Sequence, residues 1–346
     1  MPKKLKINVG CTWDLRQIEL ISALNKSHTN TIVTDVYGSI GQFPTARSYD
    51  RLPKWDYKRF VDYIAAANKN NIGVKWTMNQ SCLGQLDALN LKFYEDMIKQ
   101  LKLYQCHKYI VVVPLLANII KSMDPEAWIE VSTIGRTTSI QELQAWVKLG
   151  VNSICWDVME NRNFTLLQNA AKYLHDNDVQ LEVIVNEFCL FMCVHRNTCY
   201  NLSSHNSSRD RFGGYPFTNC ISARLDDNAE WLRARFVLPS WISHYDMAGV
   251  DQFKITGRTH STDEVDRVLR YYMDEKDPED LLSLWHHIEK LVPGTKSVHP
   301  TISCEKLNHE RFLEHFEKKG HICKSVGCGI GRCTYCGEMF NYACVK

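Results

Sequence analysis

The chain has 346 residues, of which 45% are hydrophobic, and a formal net charge of +2 at neutral pH. This composition supports one large core, or a large domain with a small one. No apolar run approaches the roughly 20 residues of a membrane span, and no basic tract typical of a strong nucleic-acid binder is present. The N-terminus lacks the apolar core of a signal peptide, so we expect a cytoplasmic protein.

Residues 1–275 alternate short β-rich runs with amphipathic helical stretches. The strands are expected at Ile7–Cys11, Thr31–Tyr37, Val74–Asn79, Tyr109–Pro114, Trp128–Thr133, Ser153–Val158, Leu181–Asn186 and Gln252–Thr256. The helices are expected at Tyr57–Asn70, Phe93–Leu103, Ile140–Leu149, Leu166–His175 and Thr262–Met273. The runs are mostly apolar on both faces, as buried parallel strands are. This pattern predicts a closed (β/α)8 TIM-like barrel. The alternative is a doubly wound open sheet, which is disfavoured because no glycine-rich phosphate turn follows the first strand.

Residues from 276 onwards break this pattern and are interpreted as a C-terminal extension, 276–346. A helix is expected from Asp277 to Val292, because Pro278 suits a first helical turn. A second helix is expected over about Glu305–Lys319. The chain then finishes in a short cysteine-dense tail, His321–Lys346.

In a barrel, functional side chains lie at the C-terminal ends of the strands. Asp157 and Glu187 follow two of the predicted strands, and Lys254 lies inside an apolar one, with Arg258 just after it. A lysine inside a barrel needs either a carboxylate from a neighbouring strand or an anionic ligand. The sequence leaves both partners open.

Fourteen cysteines are many for a reducing compartment, where thiols stay free unless a metal binds them. Cys189, Cys193 and Cys199 lie close together after the seventh strand, and Cys220 returns from a long loop. Disulfide, metal and inert core are the common fates of such thiols. We interpret this group as ligands of an iron–sulfur cluster.

The tail holds a second group, made up of Cys323, Cys328, Cys333 and Cys336. Its spacing, with one Cys-x2-Cys pair and intervening glycines, indicates a metal site but fits neither a zinc ribbon nor a standard ferredoxin run. A second iron–sulfur cluster and a structural zinc are both open. A third alternative is that one tail cysteine completes the first cluster.

Two segments resemble the peptidase U32 family: Glu187-Phe188-Cys189 through Cys199, and Gly249-Val250-Asp251-Gln252-Phe253-Lys254-Ile255-Thr256-Gly257-Arg258. Weaker similarity is found at Asp35–Ser39 and Asn79–Gly84, as in a short, single-barrel branch of the family. The resemblance covers roughly residues 5–275. It implies a [4Fe–4S] cluster and oxygen-independent hydroxylation, which better understood relatives carry out on RNA bases or a quinone precursor. The family's fourth cysteine has no counterpart near Leu238–Trp241, so Cys82, Cys199 or the tail must supply that ligand.

The leading hypothesis is therefore an iron–sulfur-dependent modification enzyme whose cluster is held by Cys189, Cys193 and Cys220. Lys254 and Arg258 would bind a carboxylate or phosphate, and Glu187 or Asp157 would act as general acid or base. The substrate would be a small molecule, a peptide or an RNA base. A protein partner or a homo-oligomer is open.

Two alternatives are kept. One is a U32-type peptidase in which Cys193 pairs with His195 or His205. The other is a non-catalytic iron–sulfur carrier or electron-transfer subunit, which the presence of two cysteine groups supports.

Overall fold

The apolar runs form eight parallel strands that close into a barrel, in which each strand pairs with its chain neighbours and the eighth pairs with the first. A computed structural model describes residues 4–40, 45–47, 52–54, 56–81, 91–204, 215–285, 299–318, 323, 328 and 333–345. The strands are β1 Leu5–Gly10, β2 Thr31–Gly38, β3 Gly73–Met78, β4 Lys108–Val111, β5 Trp128–Val131, β6 Ser153–Cys155, β7 Gln180–Ile184 and β8 Gln252–Ile255. The closed (β/α)8 barrel is thus confirmed, and the open sheet is excluded.

Helices surround the barrel. Those of the barrel part are α1 Leu15–Ser27, α2 Tyr57–Lys69, α3 Leu91–Leu103, α4 Pro114–Met123, α5 Ile140–Lys148, α6 Phe164–His175, α7 Arg196–Ser204, α8 Tyr215–Asp226, α9 Glu230–Arg233, α10 Ile242–Met247 and α11 Thr262–Met273. The sequence pattern missed α1 and α4, and also α7 to α10. Asp14 caps α1, and Pro114 occupies the first turn of α4. None of the described helices is long and apolar enough to cross a bilayer.

Several strands end earlier than expected because the following residues begin a turn or helix. The fourth strand ends at Val111, since Pro114 starts α4. The sixth ends at Cys155, since the Asp157 side chain accepts a hydrogen bond from the Met159 N–H and caps a 3-10 turn. The polar residues at these strand ends are therefore in loops at the barrel mouth, where a (β/α)8 barrel places its functional groups.

The extension differs from the expected pair of helices. After α11, the described part of the expected helix Asp277–Val292 contains a 3-10 turn at Leu281–Leu284, which Asp280 caps. The rest of that expected helix, from residue 286 on, lies outside the described residues. The expected second helix is split into α12 Cys304–His309 and α13 Glu314–Glu317. Arg311 has φ 54°, a left-handed conformation that interrupts a helix.

The extension packs on the barrel's outer helices. Its last helix, α14 Tyr335–Ala343, ends in β10 Cys344–Val345, which pairs antiparallel with β9 Thr301–Ile302. Phe312 stacks on Phe236 and Trp241 of the barrel part, with ring centroids 6.4 and 5.9 Å away. All of these rings are buried, so one continuous apolar core includes both parts.

Candidate metal centre at the barrel mouth

The loop after β7 is fixed by hydrogen bonds around Glu187 and Arg196. One carboxylate oxygen of Glu187 accepts the backbone N–H groups of Phe188 and Cys189, at 2.9 and 3.0 Å. The Arg196 guanidinium forms a two-pronged salt bridge with Asp157, with N–O distances of 2.6 and 3.0 Å. Both side chains of this salt bridge are buried. This pairing anchors the start of α7 to the loop that follows β6.

Four thiols converge above β7 and form what we call the mouth thiol group. Its members are Cys189, Cys193, Cys199 and Cys220. The Cys220 thiol is hydrogen-bonded to Cys193, and Cys220 is also a close electrostatic neighbour of Cys189. Cys199 is such a neighbour of both Cys189 and Cys193. The structure therefore brings together the thiols that the sequence singled out, although they come from a loop and two helices. Cys82, the other proposed ligand, is outside the described residues.

The four thiols differ in acidity. A hydrogen bond from Cys220, with support from the backbone N–H of His195, lowers the pKa of Cys193 to about 6. Sharing that hydrogen bond raises the pKa of Cys220. Burial raises the pKa of Cys189, and it raises that of Cys199 to about 11. Without a metal the group thus favours one thiolate beside three thiols, since burying four negative charges together is costly.

A buried arginine supplies positive charge to this group. Arg224 is 0% exposed and donates to the carbonyl oxygens of Cys220 and Phe188. Its charge faces the sulfurs of Cys220 and Cys189, and its Nε has no hydrogen-bond partner among the described residues. A negatively charged metal–thiolate centre would compensate this cation.

The spacing of the sulfurs is wider than a single zinc ion needs. Zn–S bonds of about 2.3 Å place the four sulfurs of a zinc site about 3.8 Å apart. Among the described residues, the one group of three or more potential ligand atoms all within 4.8 Å of one another is Glu130, Cys155 and Glu182. No three sulfurs of the mouth thiol group therefore all lie within 4.8 Å of one another in the described structure.

A polar pocket of about 220 Å³ opens beside Cys193. It is lined by Arg136, Asp157, Met159, Met192, Cys193, Val194, Arg196 and Asn197. Arg136 donates to the side-chain oxygen of Asn197 at 2.7 Å. The pocket therefore combines a thiol, a buried ion pair and an exposed cation, as a site for a small polar group would.

Lys254 lies inside the barrel and has carboxylate partners. Its ammonium contacts Glu130 and lies 2.7 Å from an oxygen of Glu182. Lys75 lies 2.7 Å from the other oxygen of Glu130. Despite burial, the two glutamates keep the pKa of Lys254 well above its usual value. The sequence left open whether Lys254 pairs with a carboxylate of a neighbouring strand or with an anionic ligand, and the structure shows the carboxylates. A role of Lys254 in catalysis stays a prediction.

The Glu130, Cys155 and Glu182 group belongs to this charged interior. Lys254 and Lys75 oppose the effect of burial and hold the pKa of Glu182 below its usual range. Burial raises the pKa of the Cys155 thiol. With two ammonium groups already bound to the carboxylates, this group is an ion-pair network rather than an open metal site.

Arg258 is a second buried cation, and its described hydrogen-bond partners are hydroxyl groups instead of carboxylates. It is 8% exposed, and its guanidinium donates to the hydroxyls of Thr45 and Thr77, at 3.2 and 2.7 Å. Burial, and then the positive charge of Arg47, lower its pKa to about 9. Within the described part of the chain, no carboxylate is paired with it. Since an arginine in a protein remains charged, this corner of the mouth favours a bound anion.

The tail cysteines form a separate group on the side of the barrel part, next to Arg162 and Arg235. Among the described residues, the structure does not bring a tail thiol into the mouth thiol group. Arg47, Arg136, Arg196 and Arg224 were not predicted as site residues. Arg196 lies inside the cysteine-rich segment, but nothing local marks the other three.

The comparisons with known proteins are consistent with this fold. No family model matches the chain. The "Uncharacterized protease MJ1657" of Methanocaldococcus jannaschii is 24% identical over 299 residues, which are 84% of this chain and 83% of the relative. The solved structure of the U32 peptidase Mk0906 has a TM-score of 0.51 at 12% identity, over 74% of this chain and 94% of that chain. A GH113 beta-1,4-mannanase reaches a TM-score of 0.42 at 10% identity, over 78% and 98% of the two chains.

Proposed function

We propose that this chain, which its relatives support as a member of the peptidase U32 family, is an iron–sulfur-dependent enzyme that modifies its substrate without molecular oxygen. The observation that carries this proposal is the convergence of the mouth thiol group at the C-terminal end of the barrel. Barrels of this class hold their reactive groups at that end. The buried Arg224 beside the sulfurs supports a negatively charged centre there.

A cluster with one accessible iron would act as a Lewis acid toward a substrate oxygen or as a redox centre. The residues around it have roles that follow from their placement. Arg258, with Arg47 nearby, would bind an anionic group of the substrate, since it carries a buried charge without a carboxylate. The Thr45 and Thr77 hydroxyls fix the direction of its guanidinium. We therefore favour a substrate with a carboxylate or phosphate, which a small metabolite, a peptide or an RNA base in its strand would all provide.

Glu187 and Asp157 are the proposed acid and base, and their surroundings differ. Glu187 contacts the Cys189 thiol and two backbone N–H groups, so it sits directly beside the thiol group. Asp157 is held in its ion pair with Arg196 but also lines the polar pocket. Glu187 is therefore the better placed for proton transfer near the cluster, and Asp157 for positioning the loop.

A thiol peptidase is the second candidate, and one observation favours it. The lowered pKa of Cys193, about 6, would give a thiolate at neutral pH, as in cysteine nucleophiles. The main cause, however, is a hydrogen bond from another cysteine, with His195 contributing less. A shared thiol–thiolate proton is what converging metal ligands show before metal binds. His205, the other proposed base, is outside the described residues.

The test compares wild type, Cys193→Ala and Cys106→Ala after anaerobic purification. Cys106 is the matched control because it is a buried cysteine that donates to the Val74 carbonyl, away from the thiol group. We expect a brown wild type with broad absorption near 400 nm, a loss of about four iron atoms per chain in Cys193→Ala, and no change in the control. A colourless wild type that cleaves peptides, and loses this activity in Cys193→Ala, would support the peptidase instead.

A further inference from the structure

The four cysteines of the tail lie near one another, and the first and the last are 13 positions apart in the sequence. We call them the tail thiol group: Cys323, Cys328, Cys333 and Cys336. Cys328 and Cys333 pair through an isolated parallel β-bridge. Cys336 lies in the first turn of α14 and is 7% exposed. Its electrostatic neighbours include Cys328 and Cys323, and Cys328 has Cys323 and Cys333 as neighbours. The four described cysteines therefore lie near one another.

Two buried arginines face this region and lack carboxylate partners in the described part of the chain. Arg162 and Arg235 are each 2% exposed. Arg162 donates to the carbonyls of Leu232 and Ala234, both at 2.7 Å, but its Nε has no partner. Arg235 lies 3.7 Å over the Phe191 ring, and two of its nitrogens have no partner. Burying two guanidinium groups without an anion costs several kcal/mol.

The arginines and a tail sulfur share one small cavity. Arg162, Arg235 and Cys323 all line it, and so does the buried carboxyl group of Glu160. A third arginine, Arg233, is also near Cys328, but it is paired with Asp227 and Glu230 at 2.5 and 2.6 Å. Two guanidinium groups that form no ion pair in the described structure therefore lie beside the tail thiol group.

We infer that the tail thiol group binds a second iron–sulfur cluster whose negative charge is balanced by Arg162 and Arg235. Four thiolates around a doubly positive centre leave two negative charges, which would lie beside the two guanidinium groups.

Zinc is the competing occupant of this group. Four thiolates around a zinc ion would leave the same two negative charges, so metal analysis rather than charge distinguishes the two centres. No three tail sulfurs are among the described ligand atoms that all lie within 4.8 Å of one another.

The second site is distinct from the mouth thiol group but adjacent to it. Met159 lines both the pocket beside Cys193 and the cavity beside Cys323. Phe191 packs near Met159 together with Cys189, and it also lies under Arg235. One layer of side chains thus separates the two groups. The inference does not depend on the proposed function, because it concerns other ligands.

The experiment counts iron and acid-labile sulfide per chain in wild type, Cys333→Ser, Cys193→Ala and Cys344→Ser, all prepared anaerobically. Cys344 is the matched control, as a partly exposed cysteine of the same tail that is outside the group. We expect about eight irons in wild type and in the control, and about four in each of the other two variants. The Cys193→Ala arm tests the mouth site and the Cys333→Ser arm tests the tail, so the two proposals fail separately.

Three results would overturn the inference: a wild type whose iron is all lost in Cys193→Ala, a Cys333→Ser variant that keeps all the iron of wild type, or one zinc per chain that is lost in Cys333→Ser. If Cys333→Ser does not fold, the iron that Cys193→Ala retains decides. Arg235→Met adds a second readout. Removing the positive charge should shift the reduction potential of one of two clusters to more negative values in a redox titration, and an unchanged potential would contradict the charge balance.

Discussion

Charged residues replace the usual apolar filling inside this barrel. The centre of a (β/α)8 barrel is normally packed with branched aliphatic side chains. Here Lys75 and Lys254 alternate with Glu130 and Glu182, and all four are at most 5% exposed. Such a network is stable only when every member is paired, because an isolated buried charge is costly. We therefore expect Lys254 to stabilise the fold through its ion pairs with Glu130 and Glu182.

Replacing Lys254 by methionine tests this interpretation. The change would leave Glu130 and Glu182 facing each other with one ammonium instead of two, so we expect a loss of about 3–5 kcal/mol in the free energy of unfolding, measured with urea. The double variant Lys254→Met/Glu182→Gln should recover part of that loss, since it removes one uncompensated charge. A single variant as stable as wild type would show that the ion pairs contribute nothing.

At the scale of one element, helix α7 places Cys199 in the mouth thiol group. It carries Cys199 and begins at Arg196, which is tied to Asp157. Near its other end, the Ser204 hydroxyl accepts the backbone N–H of Ser81 after β3, at 2.8 Å. The helix thus bridges the mouth from the β6–β7 side to the β3 side. Its position, rather than its own sequence, brings Cys199 to the other thiols.

Arg196→Gln should loosen this helix without changing a thiol. The variant leaves Asp157 buried without its cation, and we expect the iron affinity of the mouth thiol group to fall about 10–100-fold, as for other residues that orient metal ligands. Iron retention during titration with a chelator measures this. Arg196→Lys keeps the charge but not the two-pronged geometry. Its iron retention should therefore lie between those of wild type and Arg196→Gln. Equal retention in all three proteins would show that the ion pair does not position the ligands.

At the scale of the whole molecule, the extension completes the apolar core. Phe312 is 0% exposed and stacks on Phe236, Trp241 and Tyr335. Trp241 also donates from its indole N–H to Asn308 at 2.7 Å. The barrel part therefore exposes a large aromatic surface unless the extension covers it. We expect the two parts to unfold together.

Phe312→Ala examines this coupling. Removing the ring leaves a cavity between the two parts, and the free energy of unfolding should fall by about 3–5 kcal/mol with one cooperative transition retained. Tyrosine and tryptophan fluorescence and far-UV circular dichroism should give coincident urea curves. Two separate transitions, of which only the weaker responds to the substitution, would show that the extension is an independent unit.

The sequence alone determined the barrel, because eight apolar runs with intervening amphipathic helices have few other ways to bury both faces of a parallel sheet. It also identified the thiols, because cysteines clustered within a few residues are visible without coordinates. It missed α1 and α4, whose starts depend on a single capping aspartate and a single proline.

Only the tertiary structure decided which charges meet. Lys254 finds its partners 72 and 124 residues away along the chain, in Glu182 and Glu130. The arginines beside the two thiol groups come from segments with no local signal, and only the folded structure shows that they are buried there. Strand and helix formation depend on neighbours in the sequence, whereas charge compensation in a core depends on which side chains the closed barrel brings together. For that reason the sequence could single out the proposed ligand thiols, whereas it could not indicate the arginines that lie beside them.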